Sequence, residues 1–196
     1  MTAHTLNRHK RPKRQDVVQY LPEQSPQQSS PRALQNSFLV IGYGNELRGD
    51  DAVGAQVARR VDSWQLPEVR AITACQLTDD LTTEIANVDY VIFVDACNHK
   101  SCARSVQVKP LASVANRTRY FLSANPLATN DHSAQGLLTL TYTQYGYAPQ
   151  AWLIQVPVES FELGDALSST AQHGVDDAVQ TIERFFMNYQ VIYSSS

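Results

Sequence analysis

Apolar residues along this chain come in short continuous runs separated by amphipathic stretches. The run at residues 37–42 (SFLVIG) is uninterrupted and ends on glycine, as expected of a strand buried on both faces of a parallel sheet. Residues 88–95 (VDYVIFVD) and 151–156 (AWLIQV) have the same character, and 69–74 (VRAITA) reads as a further strand. Between these runs the period changes. From Asp50 onward, Ala52, Val53, Ala55, Val57, Ala58 and Val61 recur at helical spacing, with two acidic residues at the end where the helix dipole favours them. Residues 78–87, 133–145 and 174–189 read as three more helices. The last would bury Val175, Ala178, Val179, Ile182, Phe185 and Phe186. Residues 104–109 alternate and suit an edge strand.

Strands alternating with helices imply an α/β fold: one domain, a twisted and mostly parallel sheet, and helices on both faces. Residues 37–190 are expected to form this domain. Residues 1–36 differ, with HKRPKR at 9–14 and the Gln/Ser/Pro-rich run EQSPQQSSPR at 23–32. That segment holds six Lys/Arg against two Asp/Glu, whereas the remaining 160 residues hold ten against seventeen. It offers too little apolar surface to offset the entropy of ordering it and reads as a disordered basic tail. Residues 191–196 read as a flexible end.

Composition narrows the function without deciding it. Of 196 residues, 43% are hydrophobic, enough for a core, and the net charge of −3 points neither to nucleic acid nor to a membrane surface. No apolar run approaches the roughly 20 residues needed to cross a bilayer. Cys75, Cys97 and Cys102 are odd in number and form no CxxC pair. The expectation is therefore no disulfide framework and a cytoplasmic protein. The N-terminus has no apolar segment of the secretory kind.

In open parallel sheets, ligands bind beyond the carboxyl ends of the strands. Three polar positions are expected there: Asp51 after the first strand, Asp95 ending the third, and His132 in the loop ATNDHS before a helix. Two carboxylates and an imidazole suit a divalent transition metal with coordination positions left open. Each has a plainer reading. Asp50 or Asp51 could cap the helix, with Asp50 the better candidate. Asp95 could cap a loop, and a lone loop histidine is commonly a surface residue. His99, with Cys97 and Cys102, fits no standard metal spacing. Gly42-Tyr43-Gly44 has the start of a dinucleotide fingerprint, but Leu47 occupies the third glycine position, and Asp62 sits near a helix end rather than after a second strand. The glycines are better read as places of sharp turning and close approach to a bound partner. No GxxxxGK[ST], GxSxG or HExxH occurs.

Residues 42–54 (GYGNELRGDDAVG) resemble the signature of the hydrogenase maturation endopeptidases: a strand, G-x-G-N, an acidic pair, then glycine. The resemblance extends through VIFVDA (91–96), His132 and AWLIQVPVESFELGDALS (151–168), the last looking closest to the bidirectional, cyanobacterial-type branch. It implies a phosphorylase/hydrolase-like sheet flanked by helices. It also implies an aspartic-type endopeptidase whose metal-contacting and catalytic positions are Asp51, Asp95 and His132. The implied substrate is the large-subunit precursor of a nickel-iron hydrogenase, trimmed of a C-terminal extension after nickel insertion. The nickel would be the precursor's own, and the enzyme could act as a monomer. Asn45 would hold the glycine loop or bond the substrate backbone. A non-catalytic, nickel-sensing or chaperone-like binder on the same fold is the alternative.

Overall fold

A computed structural model describes residues 36–98, 102, 104–112, 133–164 and 166–189. The expected tail, apart from Asn36, and the expected flexible end at 191–196 lie outside the described residues, as do His99 and His132.

Five strands form one sheet in the order β2-β1-β3-β5-β4. They are β1 (Phe38–Tyr43), β2 (Val69–Ala74), β3 (Tyr90–Cys97), β4 (Gln107–Pro110) and β5 (Gln150–Pro157). All neighbours are parallel except β4, which lies antiparallel on the outer side of β5. The helices are α1 (Val53–Asp62), α2 (Leu81–Ala86), α3 (Ala134–Tyr145) and α4 (Ser169–Asn188).

Alternation along the strands divides the core. Phe38, Val40, Ile92, Val94, Trp152, Ile154 and Val156 face α1 and α4, where they meet Val53, Val57, Val61, Ala171, Val175, Ala178, Ile182 and Phe186. Leu39, Ile41, Val91, Phe93 and Ala151 face the other way, onto Leu81 and Ile85 of α2 and Leu137 and Leu138 of α3. Burying each such large side chain contributes about 1.5–3 kcal/mol. The sheet is therefore covered on both faces, as the continuous apolar runs require.

Several element boundaries differ from the sequence expectation, among them α1, which starts at Val53 after a 3-10 turn, and β4, which spans Gln107–Pro110 rather than 104–109. β3 runs past Asp95 to Cys97, because Ala96 and Cys97 still pair with Val156 and Pro157. α2 is shorter than expected, since Thr78 and Asp79 spend their carbonyls on turn hydrogen bonds to Leu81 and Thr82. α4 starts at Ser169 rather than Gly174, because the Ser168 hydroxyl accepts from Ala171 N and caps it. Gly174 lies within the helix for a packing reason: a Cβ there would sit 2.6 Å from Val156 Cγ1.

Cysteine also departs from expectation. Cys97 and Cys102 are joined by a disulfide, with Cα atoms 6.0 Å apart, and Cys75 is free and exposed. An odd cysteine count excludes complete pairing but not one local bridge, so it says little about redox compartment.

The glycines of the signature stretch have a structural task. A Cβ on Gly42 would lie 1.8 Å from Gly54 O, and one on Gly54 would lie 2.4 Å from Tyr43 O and 2.8 Å from Val94 O. The first turn of α1 thus rests directly on the ends of β1 and β3. These two glycines serve helix–strand contact. Because the clashing atoms are backbone, Gly54→Ala should lower stability by about 2–3 kcal/mol, the cost of overpacking. Gly146→Ala, at φ +69 with no atom within 4 Å of a new Cβ, should cost only about 1–2 kcal/mol of left-handed strain. Urea denaturation midpoints of the two variants check the ranking, and equal midpoints would refute it.

Candidate active site

Chain order places the topological switch between β1 and β3: the chain leaves β1 for β2 on one side, then returns to β3 on the other. Beyond the carboxyl ends of these two strands, neighbouring connections diverge and leave a crevice. Tyr43, Gly44 and Asn45 leave β1 there, and Asp95 lies there on β3.

The loop that leaves β1 is wrapped around Asp51. Gly44 takes φ +139, and a Cβ on it would lie 2.1 Å from Asp51 O, so only glycine fits. The amide of Asn45 donates to Asp51 Oδ2 at 2.7 Å, while Asn45 Oδ1 accepts from Leu47 N at 3.0 Å. Asn45 therefore shapes the loop, one of the two roles expected for it. Asp51 Oδ1 accepts no hydrogen bond among the described residues.

The sequence makes Asp50 the better candidate to cap α1, but it does not cap the helix. It lies in a short 3-10 turn, Gly49–Ala52, and is 1% exposed. Its carboxylate accepts from Glu159 N (2.9 Å), Ser160 N (3.2 Å), Ser168 N (2.6 Å) and Ser168 Oγ (2.7 Å). Burial pushes its pKa up, but the backbone and hydroxyl donors of Ser168 and the amides of Glu159 and Ser160 outweigh it and hold the group below the ordinary aspartate range. This clamp seats the segment after β5 on the loop. Gly164 N donates to Leu47 O at 2.9 Å, and Arg48 Nε to Phe161 O at 3.3 Å.

Asp95 is half-buried and sits beside Tyr43, the next pair beyond Gly42 and Val94 in the β1–β3 register. The Tyr43 phenol donates a hydrogen bond to Asp95. Burial first, then the charge and hydrogen bond of Asp95, push the phenol far above its usual pKa, so it stays a donor at any working pH. Sequence reasoning passed over Tyr43. The available signal was register: aligning FLVIG of β1 with YVIFV of β3 puts Tyr43 opposite Asp95 on one face.

Asp51 and Asp95, 44 residues apart in sequence, thus both reach the carboxyl edge at the switch. The third expected member, His132, lies outside the described residues; the helix that follows it, α3, packs on the sheet face that carries Asp95. Among the described residues, no three His, Cys, Asp or Glu side chains gather as a metal site. Two carboxylates at an open edge suit oxygen coordination of a divalent cation brought from outside, or orientation of water beside it.

This architecture has known counterparts. A NiFe hydrogenase maturation protease, HycI, from Thermococcus kodakarensis superposes with TM-score 0.57 at 22% identity, covering 80% of this chain and 96% of its own. The hydrogenase maturating endopeptidase HybD from E. coli gives 0.58 at 22%, covering 78% and 93%. A hydrogenase 2 maturation peptidase from a Thaumarchaeota archaeon gives 0.57 at 23%, covering 76% and 97%. The chain has the fold of the hydrogenase maturation proteases. No protein-family model matches the chain, and no curated protein matches it in sequence. Among the described residues, no helix of this maturation-protease fold is long and apolar enough to cross a membrane.

The Asp50 clamp gives a pH-dependent prediction. A folded-state pKa below the unfolded value of about 3.9 adds stability above that pH and loses it as pH falls through the folded pKa. Asp50→Asn turns a donor toward backbone amides and should cost about 2 kcal/mol at pH 7. The gap to the parent protein should shrink below about pH 4. Urea denaturation at pH 7 and pH 3 tests this; equal stability at pH 7 would show that the clamp contributes nothing.

Proposed function

We propose that this chain is an endopeptidase that removes the C-terminal extension from the nickel-loaded large-subunit precursor of a nickel-iron hydrogenase. The observation that carries the reading is the convergence of Asp51 and Asp95 on the switch point, each held by its own partner. The signature stretch and the shared fold support it. So do the three structural relatives, which are maturation proteases or peptidases.

In this reading, Asp51, Asp95 and His132 complete the coordination of nickel that the precursor brings. That holds the scissile peptide beside the metal, and a reaction between fixed groups gains from the entropy already lost on binding. Water adds to the polarised carbonyl, the C–N bond breaks, and the departing amine takes the proton. Tyr43 positions Asp95 through its hydrogen bond. The Asn45 amide fixes one oxygen of Asp51. The reaction belongs in the cytoplasm, and a monomer suffices for it.

Incubation of nickel-loaded precursor with Asp51→Ala, Asp95→Ala and His132→Ala variants should leave it at full size on a denaturing gel, while the parent protein shortens it. Full cleavage by all three variants would end the proposal. Binding without any size change by the parent protein would favour a binder instead. Tyr43→Phe removes one hydrogen bond to a charged group, about 1.5–3 kcal/mol, and should slow single-turnover cleavage by about tenfold or more. An unchanged rate would remove Tyr43 from the site.

A further inference from the structure

The sheet face that carries Asp95 continues beyond it as a polar row. In register, Asp95 lies beside Gln155 of β5, and Gln155 lies beside Gln107 of β4. The row behind it is Phe93, Leu153 and Lys109. Residues directly paired across strands share a face, and neighbouring strands are about 4.8 Å apart. Gln155 is thus the first side chain met on leaving Asp95 toward the antiparallel edge.

A cavity of about 90 Å³ opens on this face, walled by the Cys97–Cys102 disulfide and lined by Ser105, Gln107, Lys109 and Gln155. The amide nitrogen of Gln107 is committed to Ser105 and the Val106 carbonyl. Gln155 is half-buried, yet its amide makes no hydrogen bond among the described residues. Lys109 makes no ion pair among them. Among the described lining residues, its ammonium is the one formal charge, because serine, glutamine, proline and disulfide sulfur are neutral. Asp95 lies outside the lining and is bonded to the Tyr43 phenol.

Among the described residues, a half-buried amide and an exposed ammonium, neither with a polar partner, line one small cavity, and the pair suits an anion such as a carboxylate. We propose that this cavity is the subsite that receives a carboxylate of the extension cleaved at Asp51 and Asp95. The Gln155 amide donates to one oxygen, and Lys109 supplies the opposite charge. This rests on the peptidase reading above. Gln155 and Lys109 bind and position; they do not touch the reacting bond. The cavity takes a group the size of an acetate, so the carboxylate is that of an Asp or Glu side chain or of the chain end.

Steady-state processing of nickel-loaded precursor by the full-length chain separates these possibilities. Gln155→Ala and Lys109→Ala should each raise KM about tenfold, the scale of one charge-assisted hydrogen bond, and leave kcat within about twofold. Lys109→Glu should raise KM further. Added salt should raise the parent protein's KM more than that of Lys109→Ala. Gln155→Glu should behave as Lys109→Glu does, by like-charge repulsion. Circular dichroism of each variant should match the parent. Two altered precursors locate the carboxylate. If Asp/Glu→Asn/Gln changes in the extension abolish the penalty of Lys109→Ala, the group is a side chain. If lengthening the extension abolishes it, the group is the chain end. If neither does, the carboxylate assignment is overturned. An unchanged KM in Gln155→Ala and Lys109→Glu, with normal cleavage by the parent protein, overturns the subsite. Absence of cleavage by the parent protein overturns the peptidase reading instead.

Discussion

Asp50 accepts four hydrogen bonds inside the protein, from Glu159, Ser160 and the amide and hydroxyl of Ser168, and the candidate site takes its shape from them. A buried carboxylate without donors would be too costly to keep charged. With these donors it becomes a joint between parts distant in sequence: the loop after β1, the end of β5 and the start of α4. Ser168 serves both sides of that joint, since its hydroxyl donates to Asp50 and accepts from the first turn of α4. Successive residues of a 3-10 turn point about 120° apart. With Asp50 committed to the interior, Asp51 is directed to the glycine loop, where Asn45 N holds one of its oxygens.

A second constraint sets how close these parts come. Gly42 and Gly54 let the first turn of α1 rest on backbone atoms of β1 and β3. That contact brings the 3-10 turn to the sheet edge, so that a residue after β1 and a residue on β3 serve one crevice. Strand parity does the rest. Tyr43, Asp95, Gln155 and Gln107 occupy one row on one face because β1, β3, β5 and β4 are in register there. The polar row begins where the apolar rows end, at the strand ends that helices no longer cover.

The disulfide sits in the same neighbourhood. β3 extends two residues past Asp95, and Cys97 at its end bridges to Cys102. The bridge walls the cavity next to Asp95, so the chain's one cysteine pair is part of the surroundings of the site rather than a brace for the whole fold.

Local patterning sufficed for much of this. Continuous apolar strands such as 38–41 and 91–94 can be stable only when covered on both faces, so the parallel sheet and its two helical layers follow from the residues alone. The rule that ligands sit at strand carboxyl ends then pointed to Asp51 and Asp95. Other features depend on residues far apart in the chain. Asp50 looked like a cap because helix starts favour acids, and only the return of residues 159–168 shows that its partners lie elsewhere. Gly42 looked like a ligand-approach glycine until α1 was seen against it. Tyr43, Gln155 and Lys109 carried no motif, because pairing register, a property of two or more strands, sets what they face. The sequence by itself determined the layers and the order of the elements, and it marked Asp51 and Asp95 as candidates at the strand ends. Tertiary structure alone decided that Asp50 is buried against residues 159–168 instead of capping α1, because a hydrogen bond between residues more than 100 positions apart leaves no trace in local periodicity.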